Sequence, residues 1–283
     1  MPASTHRGRR FASLVLTRAP RPDLQPFVCK LWALDATNTR PPAPLGREHV
    51  LPTGQMHLVF RWPGDRLRLF DSADDVIGHL VADAVVGGAR AGHYVRDISR
   101  PSCAVGAQLG PGAAEALFGV PADELTARHT PLVDLWGRDV NWMHEHVMEP
   151  TMLHQRIDRL EAILVARLST PRPLHPAMPY ALRQLRKTSR IERIVDGTGY
   201  SHRTLISLFR RCVGLTPKQY CRVLRFQHLL ERMSSRRLAP LADLAADAGF
   251  ADQAHFIRDF KSFTASRRPS ICEPRPNTRI TCW

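Results

Sequence analysis

The stretch IERIVDGTGYSHRTLISLFRR, residues 191–211, decides how the C-terminal third of this chain is built. Ile191, Ile194 and Val195 recur at the i, i+3, i+4 spacing that puts apolar side chains on one face of a helix. Gly199 then interrupts the pattern, where a residue without a Cβ can take the left-handed backbone that turns a chain sharply. Ser201 follows as an N-cap, its side-chain oxygen available to an orphan N–H of the next turn. From there Leu205, Leu208 and Phe209 point back at the first helix and leave His202, Arg203, Ile206, Ser207 and Arg210 outside. The spacing predicts helix, tight turn, helix, with the outer face of the second helix free to meet base edges and phosphates. One such unit is equally compatible with a plain helical hairpin whose outer face is merely solvated.

The same grammar returns fifty residues on, from Gly199 to Gly249. Leu241, Leu244, Ala245 and Ala248 form the inner stripe, Gly249 and Phe250 the turn, and Asp252 the cap of a helix carrying Phe256 and Phe260 inward. Its outward set is Gln253, Ala254, His255, Ile257, Arg258 and Lys261, with amide, imidazole and guanidinium groups suited to purine edges. Between the units, Thr216-Pro217 reads as N-cap and first-turn proline of a helix through Tyr220, Val223, Leu224, Gln227, Leu230 and Met233. About 17 residues at 1.5 Å each span about 25 Å. Such a strut can hold two recognition helices near one turn of DNA, roughly 34 Å, apart.

Over residues 180–265 the chain resembles the AraC/XylS transcription regulators. The strings that carry the likeness are Gly199-Tyr200-Ser201-His202-Arg203, Leu208-Phe209-Arg210-Arg211, Gly214-Leu215-Thr216-Pro217 and Ala248-Gly249-Phe250-Ala251-Asp252-Gln253-Ala254-His255-Phe256. The resemblance implies two helix-turn-helix subdomains on one long helix. By position it places base contacts on Arg203, Ile206, Ser207, Gln253, Ala254, His255, Ile257 and Arg258, and phosphate contacts on His202, Arg210, Arg211 and Lys261. This chain departs from the family where Thr204 and Ser207 replace longer polar residues, and where Thr264-Ala265-Ser266-Arg267-Arg268-Pro269 replaces a second Gly-x-Thr/Ser-Pro turn.

Charge supports the same division of labour. The net charge of +14 on 283 residues falls as +1 on residues 1–170 and +13 on residues 171–283, so the back of the chain is the part that seeks a polyanion. The front reads differently. Met56, Leu58, Phe60 and Trp62 alternate on one strand face, Pro63-Gly64-Asp65 supplies turn chemistry, and Leu67 and Leu69 alternate with Arg66 and Arg68 afterwards, which predicts a hairpin. Cys103, Val105, Ala107 and Leu109 give another strand, Leu31–Leu34 a shorter one, and Phe11–Leu16 a third. Helical spacing then begins near Gly110, with Ala113, Ala116 and Leu117 in a short helix and Leu153, Ile157, Leu160, Leu164 and Leu168 in a longer one.

The fold class expected is therefore α+β multidomain: a small N-terminal β-barrel or sandwich with covering helices, then an all-α double helix-turn-helix. Expected boundaries are 1–170 for a sensor-like or dimerising domain (strands about 11–110, helices about 111–168), 171–179 for a proline-rich linker, 180–266 for the DNA reader and 267–283 for a loosely ordered basic tail. Leu51-Pro52-Thr53-Gly54, Gly110-Pro111-Gly112-Ala113-Ala114 and Asp134-Leu135-Trp136-Gly137 make the front similar to the sensor-like domain of uncharacterised function that precedes this reader in many actinobacterial-type regulators.

The partners implied are double-stranded DNA, with a small-molecule effector, RNA polymerase and a second copy of the chain as further candidates. No apolar run approaches the roughly 20 residues that span a bilayer and no signal-peptide core opens the chain, so the expected place is the cytoplasm, without a membrane partner. The six cysteines show no zinc or redox spacing. His57, His79 and His93, and the cluster His144, Glu145, His146 and His154, match no metal-ligand pattern; Gly110-Pro111-Gly112 lacks the remainder of a phosphate loop. No cofactor, metal or catalytic residue is expected. The rival reading is a barrel enzyme or a DNA-repair methyl acceptor, with Cys29 or Cys103 as nucleophile, carrying the reader as an accessory.

Overall fold

A computed structural model describes residues 14–37, 46–64, 66–71, 74–168, 174–185, 191–235, 253–264 and 278–281. The front half is a two-layered β structure closed on one side by helices. Six strands form the first sheet in the order β1-β2-β9-β4-β7-β10: β1 (Leu14–Arg18), β2 (Val28–Asp35), β9 (Cys103–Leu109), β4 (Met56–Arg61), β7 (Ala84–Gly87) and β10 (His129–Pro131). Every pairing in it is antiparallel. The second sheet runs β11 (Thr278–Thr281), β3 (Arg47–Val50), β8 (Tyr94–Asp97), β5 (Arg68–Phe70), β6 (His79–Leu80).

The alternation of β4 decides what each face of the first sheet does. Met56, Leu58 and Phe60, with Leu31, Ala33, Val105 and Ala107 beside them, enter the main core. That core is completed by α1 (Val133–Trp136), α2 (Asp139–Met148) and α3 (Leu153–Arg167), the last contributing Ile157, Leu160 and Leu164, all fully buried. Each such aliphatic side chain contributes about 1.5–3 kcal/mol by leaving water. The opposite face of the sheet carries Trp32, Val59, Val85 and Ala104 as a smaller cluster. It looks not at solvent but at the second sheet, across a narrow cavity of about 60 Å³.

Three expectations are corrected. The strands around Pro63-Gly64 do not form a hairpin: β4 pairs with β7 and β9, whereas β5 pairs with β6 and β8 in the other sheet. A strand buried on both faces takes neighbours on both edges within its own sheet, so the turn carries the chain from one layer to the next and leaves Trp62 half exposed. A strand also falls inside the supposedly helical stretch, since His129–Pro131 pairs with β7, its proline on the sheet edge where a missing N–H costs nothing. The tail, expected to be loose, supplies Thr278–Thr281 as a parallel strand on β3. Phe11, the linker residues Ser169 to Pro173, and Arg267 and Arg268 lie outside the described residues. No described helix is long and apolar enough to cross a membrane.

Candidate nucleic-acid interface

The back half is helical: α4 (Ala177–Leu185), α5 (Ile191–Thr198), α6 (His202–Val213), α7 (Pro217–Ser235) and α8 (Gln253–Thr264). The turn between α5 and α6 is built as the residues dictate. Gly199 sits at φ +70°, in the left-handed region a side chain would disfavour. Ser201 caps α6, its Oγ accepting from the Thr204 N–H at 3.1 Å. Replacing such a cap typically costs about 1 kcal/mol. Leu205, Phe209 and Val213 are buried, and Ile194 of α5 meets them in one core. His202, Arg203, Ser207, Arg210 and Arg211 are exposed, with Ile206 half buried.

The strut α7 has 19 residues, about 28 Å at 1.5 Å per residue. A reciprocal capping box starts it: Thr216 Oγ1 accepts from the Gln219 N–H at 3.2 Å, and Gln219 Oε1 accepts from the Thr216 N–H at 3.0 Å. At its N-terminal end Tyr220 meets Phe209 edge-on, which ties the strut to the first unit. Further along, Phe226 stacks on Phe263 with ring centres 4.6 Å apart and meets Phe260 at 5.9 Å, which ties the strut to α8. An ion pair from Arg222 to the buried Asp259, 2.8 Å, fixes the rotation of α8 about its own axis.

That rotation presents Ala254, Arg258 and Lys261 outward and leaves Ile257 half buried. Arg258 Nε donates back to the Ala254 carbonyl at 3.3 Å, so its guanidinium lies along the exposed helix face. Gln253 and His255 belong to the same helix. Leu241, Leu244, Ala245, Ala248, Gly249, Phe250 and Asp252, which should form the first helix, turn and cap of this second unit, lie outside the described residues. Phe263 is a packing residue the periodicity missed; it lies seven positions after Phe256 and three after Phe260, and that spacing was the available signal.

The first unit also rests against the front domain. Thr126 Oγ1 donates to the Gly214 carbonyl at 2.5 Å, the Gly112 N–H donates to the Cys212 carbonyl at 2.9 Å, and Arg211 pairs with Glu115 at 2.5 Å. Gln227 of the strut donates to the Pro52 carbonyl at 2.6 Å. Of the residues expected to meet phosphate, Arg211 thus has a carboxylate partner within the chain.

Among the described residues no group of three or more His, Cys, Asp or Glu could hold a metal. His144 contacts the Arg61 carbonyl at 2.6 Å through Nε2, and His146 stacks on Trp142. Burial pushes the Cys212 thiol up to about 12 and the Cys221 thiol up to about 11, the opposite of nucleophile activation. Cys103 is buried against Arg156, whose guanidinium reaches its Sγ at 2.5 Å.

A β-rich front layered under helices and a basic helical back with a capped helix-turn-helix on a rigid strut define a DNA-binding transcription regulator of two-part build. The comparisons narrow the class. Residues 194–267 match the family described as Helix-turn-helix domain and residues 16–131 match a Domain of unknown function (DUF6597); the chain carries an AraC-type helix-turn-helix domain behind that front domain. No protein of curated function matches the chain. Among solved structures, ToxT from Vibrio cholerae in its 1.65 Å P21 form is similar over 93% of this chain and 97% of that one, at 11% identity and a TM-score of 0.44. ToxT from Vibrio cholerae strain SCE256 with bound unsaturated fatty acid is similar over 90% and 92%, at 10% identity and a TM-score of 0.42.

Proposed function

We propose that the chain is a sequence-specific regulator whose α6 and α8 enter successive major grooves on one side of a duplex, while residues 1–170 sense a small effector or pair with a second copy. Arg203, Ile206 and Ser207 read bases from α6; Gln253, Ala254, His255, Ile257 and Arg258 read them from α8 across Gly249. His202, Arg210, Arg211 and Lys261 hold phosphates. The reader spans 180–266 behind a linker at 171–179, acts in the cytoplasm and has RNA polymerase as its further partner. The observation that carries this reading is the pair of helices, each with an aromatic inner face locked to α7 and a cationic outer face left open.

Footprinting tests it. Two adjacent protected major-groove segments are expected, and Arg258→Ala should weaken the preferred sequence by about 1–3 kcal/mol while relaxing the preference at one base pair. If Arg258→Ala weakened all sequences equally, the side chain would be a phosphate contact and the base assignment would fail.

The contact between the halves adds a second expectation. The Glu115 carboxylate occupies Arg211, and an exposed pair of this kind is worth up to about 1 kcal/mol. Glu115→Gln should therefore tighten nonspecific duplex binding by up to about fivefold at low salt, through release of Arg211. Unchanged affinity in a fluorescence-anisotropy titration would show that Arg211 does not reach DNA.

A further inference from the structure

The chain that follows α8 returns to the front domain. Residues 265–277 separate the end of α8 from β11, and β11 lies parallel on β3, with Thr278 opposite Arg47 and Ile280 opposite His49. The helix-turn-helix match ends at residue 267, so this strand lies beyond it. On the other side of β3 runs β8, and His93, the residue before β8, stacks its ring on His49 with centres 5.2 Å apart. The His93 ring in turn donates to the Ser262 carbonyl in the last turn of α8, acting against the burial that otherwise holds the imidazole below its ordinary value. One sheet therefore holds the chain at both ends of the 265–277 segment.

Each contact has a physical reason. The last four carbonyls of a helix find no partner within it, and Ser262 is among the last four residues of α8. An imidazole from the front domain supplies that partner at the negative end of the helix dipole, where a histidine is favoured. Four residues of parallel ladder hold weakly alone, but so short a tether keeps strand and edge at an effective concentration on the order of millimolar. Pro269, Pro274 and Pro276 fall within the tether, and proline has less backbone freedom to lose when a loop closes. The attachment spares the reading face: Ala254, Arg258 and Lys261 stay exposed, whereas Asp259, Phe260 and Phe263 are buried. The first unit is seated separately, by Thr126 on Gly214 and by Gly112 on Cys212.

We infer that the second sheet of the front domain is the seat of the second reading unit: β11 clasps β3, His93 holds the end of α8 as a positioning residue, and together they fix α8 at its distance from α6. The inference deepens the twin-groove reading above and rests on it for its effect on DNA. A helix packed on the strut along one face can swing about that contact. A second anchorage on a different body removes the swing, so orientational freedom that binding would otherwise cost is already gone in the free protein.

The test uses the full chain and two duplexes of mixed sequence, one turn and two turns long (about 11 and about 22 base pairs), titrated by fluorescence anisotropy at fixed salt. The double variant Ile280→Pro/Thr281→Pro breaks the ladder without changing charge, because successive N–H groups of a strand face opposite edges and one of these two must face β3. That variant and His93→Ala should each bind the long duplex about fivefold more weakly, the net worth of about one hydrogen bond, and the short duplex as the wild type does. His93→Gln, whose amide still donates, should recover most of the loss. In the free protein, amide exchange across Gln253–Thr264 should quicken in both variants while His202–Val213 keeps its rate. Equal losses on the two duplexes, no loss on either, or unchanged exchange in α8 overturns the inference. Tighter binding of the long duplex overturns it too, by making the clasp a lock. A wild type that binds the long duplex no better than the short one sinks the twin-groove reading instead, and the exchange rates then decide the seat by themselves.

Discussion

Gly88→Ala should destabilise the chain by roughly 3 kcal/mol or more, lowering Tm by about 6–12 °C in a protein of this size. A Cβ at Gly88 would stand 1.6 Å from the Leu125 carbonyl oxygen and 2.4 Å from its carbon. Both are backbone atoms, so no rotamer change relieves the overlap. The segment cannot easily step aside: Ala127 already sits at φ +57°, a left-handed conformation that costs an alanine about 1–2 kcal/mol, and its N–H donates to the Ala89 carbonyl at 3.1 Å. The Gly88 N–H itself donates to the Arg128 carbonyl at 2.9 Å. Displacing residues 122–127 would also withdraw Thr126 from Gly214, the contact that seats the first reading unit on the front domain. Gly92→Ala is the matched control, because a Cβ there meets nothing within 4 Å. If the two variants melted within about 2 °C of one another, close packing of this loop on β7 would be refuted.

What could be read ahead of the structure was what depends on neighbours in sequence. Gly199, Ser201 and Thr216-Pro217 act over a few residues, so their spacing alone announced the turn, the cap and the start of the strut, whereas the part of Gln219 in that cap was not foreseen. The apolar faces of β2, β4, β9 and α3 were legible for the same reason. Pairing was not. Pro63-Gly64 has the chemistry of a hairpin, but a turn is also able to carry a chain between layers, and only the demand of β4 for two partners in its own sheet decides between them. The cavity was hidden by the same gap. His57 and Arg61 alternate with Leu58 and Phe60 as solvent-facing residues do, and Lys30 beside Trp32 reads likewise. The second sheet, built from strands distant in sequence, covers that face and turns a polar surface into a buried, cationic wall. The outward residues of α6 and α8 were placed by periodicity; their division between bases and phosphates comes from family likeness and awaits the footprint.

That buried wall makes stability depend on acid. In the unfolded chain His57 and His129 titrate near 6.5, whereas in the fold burial and the surrounding arginines keep both neutral down to about 3 and about 2. As pH falls below 6.5 the unfolded chain takes up protons that the native one refuses, so stability is lost on the acid side and unaffected above it. From pH 7 to pH 5 each imidazole removes about 2 kcal/mol, and the amount is insensitive to how far below 4 the native value lies. Two of them remove about 4 kcal/mol, a large share of the roughly 5–15 kcal/mol that holds a domain together. The depressed carboxylates Asp35, Asp75 and Glu149 contribute in the same direction only at lower pH, as they begin to protonate. Urea unfolding at pH 7, 6 and 5 should show the loss, to which the half-buried His93, also held below its ordinary value by burial, adds, and His57→Gln should reduce it by about 2 kcal/mol by deleting one proton uptake. An unchanged pH slope in that variant would mean that His57 is charged or solvated in the native state.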